Sequence, residues 1–199
     1  MTSYSGESLA VGNELKQDPA QPLFSNAGEA SMGQGADSFD AGQSSITFQL
    51  NGEERTASLE DRDLLLDVLR DRFGLTGAKR SCDAEICGAC TVLVDGKPTS
   101  SCSTLAIDCD GAVVQTIEFS KHDPVMRHVQ KMFIKHGALQ CGFCTPGLIV
   151  AIRALFERHA NPSEDEVKHY LHGNICRCTG YKKIIDAVMD ASRTWHQQS

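Results

Sequence analysis

Eight of the nine cysteines fall into two sets whose spacing suits metal chemistry. Cys82, Cys87 and Cys90 stand as C-x4-C-x2-C, with Cys102 downstream; Cys141 and Cys144 form C-x2-C, and Cys176 and Cys178 form C-x-C. A [2Fe–2S] rhomb needs four thiolates converging from two sides, and a tight loop can supply three of them while its backbone N–H groups point at the sulfides. Gly88 and the small Ala89 let that backbone come close. The second set lies in two loops, each placed just before a helix, where unpaired N–H groups and the helix dipole favour a negatively charged group. Cys109 fits neither set and reads as a plain buried or half-buried thiol.

Three other uses of these cysteines compete less well. Zinc sites favour C-x2–4-C pairs, and C-x-C is awkward for a tetrahedral knuckle. An odd cysteine count argues against a closed disulfide framework, and a reducing compartment keeps such thiols free unless a metal holds them. A redox-active C-x2-C at Cys141 and Cys144 lacks the βαβ context that usually accompanies one.

The elements around these loops can be read from period and punctuation. Ile46, Phe48 and Leu50 alternate, Asn51-Gly52 marks a hairpin turn, and a second short strand follows through Thr56. Leu65, Leu69 and Phe73, with Val68, predict a helix ending near Gly74. A loop over 76–89, a strand over 91–94, a turn at Asp95-Gly96 and a strand around 112–117 complete a small α+β unit. Beyond Ser120 the period becomes helical. Asp123 caps and Pro124 starts one helix, Thr145-Pro146 starts another, Ser163 and Glu166 form a capping box for a short one, and Tyr181, Ile184, Ile185 and Val188 line the last. The fold class is α+β, with a small sheet domain over 46–120 and a four-helix bundle over 121–199.

Residues 1–45, rich in Ser, Gly, Gln and Asp, are expected to be a disordered arm, either a solvated tail or a contact with a partner. This arm carries six acidic residues against Lys16, hence five of the seven net negative charges, so the rest of the chain is nearly neutral. Without a basic patch, nucleic-acid binding is set aside. No run approaches the roughly 18 apolar residues of a membrane span, and no leader is evident at the N-terminus, so a cytoplasmic location is expected.

With both cysteine sets in this order, the chain resembles the iron–sulfur small subunit of the molybdenum hydroxylases, the xanthine dehydrogenase and aldehyde oxidoreductase family. C-x4-C-x2-C followed by a fourth cysteine is also the plant-type ferredoxin pattern. The most specific stretches are CDAEICGACTVLVDG at 82–96, SC at 101–102, LQCGFCTPG at 139–147 and GNICRCTGY at 173–181. The resemblance covers about residues 46–195. It implies a plant-type ferredoxin-like (β-grasp) domain followed by a helical-bundle domain, each holding one [2Fe–2S] cluster. It also implies electrons running from a molybdopterin centre in a large subunit to the cluster at Cys141, Cys144, Cys176 and Cys178. From there they pass to the cluster at Cys82, Cys87, Cys90 and Cys102, then to FAD in a medium subunit or to a cytochrome acceptor. Gln140 and the backbone of Cys178 are implied to contact the pterin across the interface. The assembly implied is a hetero-trimer or a dimer of hetero-trimers.

Arg177 either offsets cluster charge or makes an interface ion pair, whereas Tyr181 and Pro146 read as packing residues at helix starts. The chain is too short for pterin and flavin domains and carries no G-x-G-x-x-G fingerprint, so those groups are expected on other polypeptides. The enzyme-subunit reading, in a complex oxidising an aldehyde, an N-heteroaromatic, a purine or CO, competes with a free-standing two-cluster electron carrier. A permanent subunit should expose apolar surface where it meets its partners. A purely structural role for the metals is the weakest alternative.

Overall fold

The computed structural model describes residues 42–195. Alternation of apolar and polar side chains makes β1 (Gln43–Leu50), whose Ile46, Phe48 and Leu50 point into the core. Asn51 and Gly52 both take positive φ, at 54° and 86°, as a two-residue hairpin turn requires, and return the chain as β2 (Glu53–Glu60) in antiparallel register with β1. A second two-residue turn at Asp95-Gly96 joins β3 (Thr91–Val94) to β4 (Lys97–Ser100). β5 (Val113–Gln115), shorter than the expected 112–117, lies between the hairpins, parallel to β1 and antiparallel to β3. The mixed sheet runs β2-β1-β5-β3-β4.

Two expectations need correction. The arm expected over 1–45 lies outside the described residues as far as 41, but its last residues, Gln43 to Ser45, belong to β1. Strand pairing is made by backbone groups, so polar side chains such as Ser44, which donates to Asp61, did not prevent it. The helix expected from Leu65 to Gly74 is one α turn, α1 (Leu65–Asp67), widening into a π turn over Val68–Arg72. Phe73 N–H bonds back to Val68 C=O rather than to Leu69. Leu65, Leu66, Val68 and Leu69 are all buried beneath the sheet, and Phe73 meets Phe48 edge-on at 5.8 Å.

Four helices follow. α2 (Pro124–His136) starts as expected, with Asp123 Oδ1 accepting from Met126 N–H, and stops at Gly137 in the left-handed region. α3 (Thr145–Arg158) is apolar on nearly every face and buried accordingly, packed against α2, α4 and the sheet. α4 (Glu164–Leu171) carries the Ser163–Glu166 capping box. α5 (Lys182–Trp195) lies along α2, fastened by Asp190, whose carboxyl is pulled down to about 2 by Lys135 and His136. One buried cluster centres on β1, β2 and α1, the other on the helices; Leu93 of β3 belongs to the helical one, so the two cores share a wall.

Candidate metal centres

The β3–β4 hairpin sets the first group of thiols. Cys90 precedes β3 and Cys102 follows β4, so strand pairing brings them within hydrogen-bonding distance of each other, and Ser101 Oγ donates to Cys90 C=O at 2.7 Å. Burial pushes the Cys90 thiol up to about 11. Ahead of it the loop curls through Asp83, Glu85 and Gly88, all at positive φ. Alternate left-handed residues turn successive N–H groups inward, the geometry of an anion nest. The N–H groups of Ala84, Cys87 and Ile86 face Cys82 sulfur and lower its thiol to about 6; Cys87 thiol lies beside it. Ile86, 62% exposed, stands on the rim.

The second group lies where the α2–α3 and α4–α5 connections meet. Cys178 and Cys141 sulfurs are 3.5 Å apart, and Cys144 and Cys176 thiols are hydrogen-bonded to each other. Phe143 N–H lowers the Cys141 thiol, whereas burial drives Cys144 up to about 12. Burial also opposes the Cys176 thiolate, but the Thr179 hydroxyl, donating to its sulfur at 3.1 Å, and the N–H groups of Cys178 and Thr179 prevail and lower it. Cys144 caps α3, so its sulfur stands at a helix N-terminus.

All nine cysteines are free thiols, and eight of them come together two by two: 82 with 87, 90 with 102, 141 with 178, 144 with 176. Among the described residues no group of three or more His, Cys, Asp or Glu converges on a single ion position. A lone zinc ion needs all its donors on one point, whereas a two-iron rhomb needs two donors on each of two irons. Paired thiols therefore fit the cluster. Cys109 is buried in the same sheet core as Cys90 and Cys102, but no thiol is among the groups acting on its sulfur.

Gln140 and Arg177 lie exposed beside the second group, and Cys178 is its exposed member alongside Cys141. Around them Leu139, Phe143 and Ile175 are also exposed, and Ile134 nearby on α2 is 73% exposed.

Two residues that hold these loops lie within the 173–181 stretch, but the sequence did not show which backbone groups they satisfy. Tyr181 is not in α5; it sits before it at φ 66°, its hydroxyl accepting from Cys176 N–H and donating to Asn174 C=O. Tyr181 does pack against the helical core at the start of α5, as read from the sequence, and its phenol end also closes the cysteine loop. Asn174 is 7% exposed and donates to Gly88 C=O of the first loop and to Thr91 Oγ1 at the start of β3. A lone Asn or Tyr resembles any other until the backbone groups it satisfies are placed.

Two family models match, "2Fe-2S iron-sulfur cluster binding domain" over residues 44–130 and "[2Fe-2S] binding domain" over 116–189. The chain is 44% identical over 146 residues to the nicotine 6-hydroxylase small subunit of Paenarthrobacter nicotinovorans, covering 73% of this chain and 88% of that one. It is 44% identical over 135 residues to the xanthine dehydrogenase iron-sulfur-binding subunit of Escherichia coli O157:H7, covering 65% and 82%. Among solved structures, a chain of quinoline 2-oxidoreductase from Pseudomonas putida 86 matches with a TM-score of 0.74 at 40% identity, over 79% of this chain and 98% of that one.

Proposed function

The chain belongs to the iron–sulfur small-subunit family of the molybdenum hydroxylases and xanthine dehydrogenases, and on that premise we propose that its paired thiols hold two [2Fe–2S] clusters. Cys82, Cys87, Cys90 and Cys102 would hold one, and Cys141, Cys144, Cys176 and Cys178 the other. The chain is the electron-transfer subunit of an oxidoreductase complex. The observation that carries the ligand reading is the two-by-two approach of the thiols, each pair suited to one iron.

Each cluster, when bound, takes up and gives back one electron at a time. The protein supplies the surroundings. Inward N–H groups of Ala84, Ile86 and Cys87 at one site, and of Phe143, Cys178 and Thr179 at the other, stabilise negative charge on sulfur and so set how easily an electron is accepted.

On this reading Gln140 and Cys178 face a molybdopterin in a large subunit, and the first set hands electrons to FAD in a medium subunit or to a cytochrome. The exposed Leu139, Phe143 and Ile175 beside Gln140 support that placement, because apolar side chains around a polar contact are what a covered interface contains. They also favour a permanent subunit over a free-standing carrier. The sheet with α1 reads as a plant-type ferredoxin-like (β-grasp) domain beginning at Gln43 and ending near 120, and α2–α5, over 124–195, as a four-helix bundle. A hetero-trimer or a dimer of hetero-trimers in the cytoplasm, where nine thiols stay reduced, completes the proposal; no described helix is long and apolar enough to cross a membrane. The substrate would be an aldehyde, an N-heteroaromatic, a purine or CO.

The test is electron paramagnetic resonance of the dithionite-reduced complex, with iron, zinc and molybdenum analysis, on wild type and Cys144→Ser. Two distinct [2Fe–2S] signals in wild type, one of them lost in the variant, with molybdenum in the complex, are expected. Zinc in place of iron sinks the cluster reading; two signals without molybdenum or partners select the free carrier.

A further inference from the structure

The two groups of thiols are joined by a very short piece of backbone. Ile175 N–H donates to Cys87 C=O at 2.8 Å, and Ile175 is followed by Cys176. From Cys176 to Cys87 the path is therefore covalent except for one hydrogen bond. Electron tunnelling decays far less steeply along bonds and hydrogen bonds than across non-bonded gaps, so this contact is the natural bridge between the sites.

That hydrogen bond joins two irregular loops, and no sheet or helix ladder holds it in place. Asn174 does so instead. Its backbone is pinned within its own loop, N–H to Leu171 C=O at 2.9 Å and C=O to the Tyr181 hydroxyl at 2.9 Å. Its carboxamide crosses to the other loop, with Nδ2 3.2 Å from Gly88 C=O and 3.4 Å from Thr91 Oγ1, whose own hydroxyl donates to Gly88 C=O at 2.7 Å. Little slack remains: a Cβ on Gly88 would stand 2.4 Å from Asn174 Nδ2, and one on Gly147 would stand 2.2 Å from Gly88 C=O. A mostly buried carboxamide is costly unless its donors are used, and its partners are Gly88, in the loop between Cys87 and Cys90, and Thr91, the first residue of β3 next to Cys90.

We propose that Asn174 is a positioning residue for electron transfer between the two sites, its carboxamide fixing the Cys87–Ile175 hydrogen bond as the bridge. This rests on the cluster reading above. With both clusters bound, one electron would leave that of the second set, oxidising it by one unit, and reduce that of the first, with no bond made or broken.

The assembled complex is prepared as wild type, Asn174→Ala, Thr91→Val and Thr91→Ser. Iron content and the two signals of the fully reduced protein are recorded first. A laser flash with a deazaflavin photoreductant then injects single electrons, and freeze-quench spectra follow their redistribution between the signals. Asn174→Ala is expected to retain its iron and both signals but to slow redistribution roughly tenfold, the scale of outer-shell substitutions at metal sites. Thr91→Val should slow it less, and Thr91→Ser, which keeps the hydroxyl, should match wild type. Should Asn174→Ala lose iron, Thr91→Val decides. Wild-type redistribution in an iron-replete Asn174→Ala, or in Thr91→Val where that variant decides, overturns the proposal. Absence of two iron–sulfur signals in the wild type overturns the cluster reading itself, and with it this one.

Discussion

At the scale of residues, the nine thiols differ by what surrounds each sulfur. Cys82 faces three inward N–H groups and titrates near 6, whereas Cys109, in the core beneath the sheet, has its thiol pushed up by burial. Burial raises the Cys90 and Cys144 thiols as well, so what sets Cys109 apart is that no other thiol is among the groups acting on its sulfur. Cys109→Ser should leave the iron content and both paramagnetic signals of the complex unchanged. It places a hydroxyl in an apolar site and should cost about 1–3 kcal/mol of stability, read as a lower thermal midpoint. Loss of iron in that variant would mean that the division of the cysteines is wrong. Tyr181 teaches a related lesson. Replacing it with Phe removes the one group that satisfies both Cys176 N–H and Asn174 C=O, and should cost about 1–2 kcal/mol while keeping the ring in place.

At the scale of elements, the sites depend on where strands and helices end. The β3–β4 hairpin delivers Cys90 and Cys102 side by side, and α3 begins at Cys144. The start of α3 also lies against the first cysteine loop: a Cβ on Gly147 would meet Gly88 C=O at 2.2 Å, backbone that cannot swing aside like a side chain. Gly147→Ala should therefore disturb the first site although the residue is near the second in sequence. The expected result is a broadened or shifted signal from the cluster proposed at Cys82, Cys87, Cys90 and Cys102, with a destabilisation on the order of 1–3 kcal/mol from overpacking. An unchanged spectrum and thermal midpoint would show that the two loops are not in contact.

At the scale of the whole molecule, the described surface is uneven. Ile134, Leu139, Phe143 and Ile175 stay exposed on the side of the second thiol group. Exposed large apolar side chains grouped in this way mark an interaction surface. Phe143→Asp should leave the isolated chain folded, since the side chain is already 46% exposed, yet weaken its co-purification with a molybdenum-containing large subunit. Full recovery of the complex would place the interface elsewhere.

Much of this was legible in the sequence because it is encoded locally. Cysteine spacing, the Asn51-Gly52 and Asp95-Gly96 turns, the Asp123-Pro124 start and the Ser163–Glu166 box each depend on chemistry within a few residues of chain, and the structure carries the turns and caps as read. The start of β1 at Gln43 and the π turn after Leu65–Asp67 were not legible, because a neighbouring strand in one case and core packing in the other decided them. The sequence by itself determined the cysteine spacing from which two sets are proposed. Only the tertiary structure decided how they pair within each set, and that Asn174 and Ile175 meet Gly88 and Cys87 of the other loop. The reason is physical: spacing along a chain limits what one loop can do, whereas a contact between residues some 86 positions apart exists only once packing has paid the entropy of bringing their loops together.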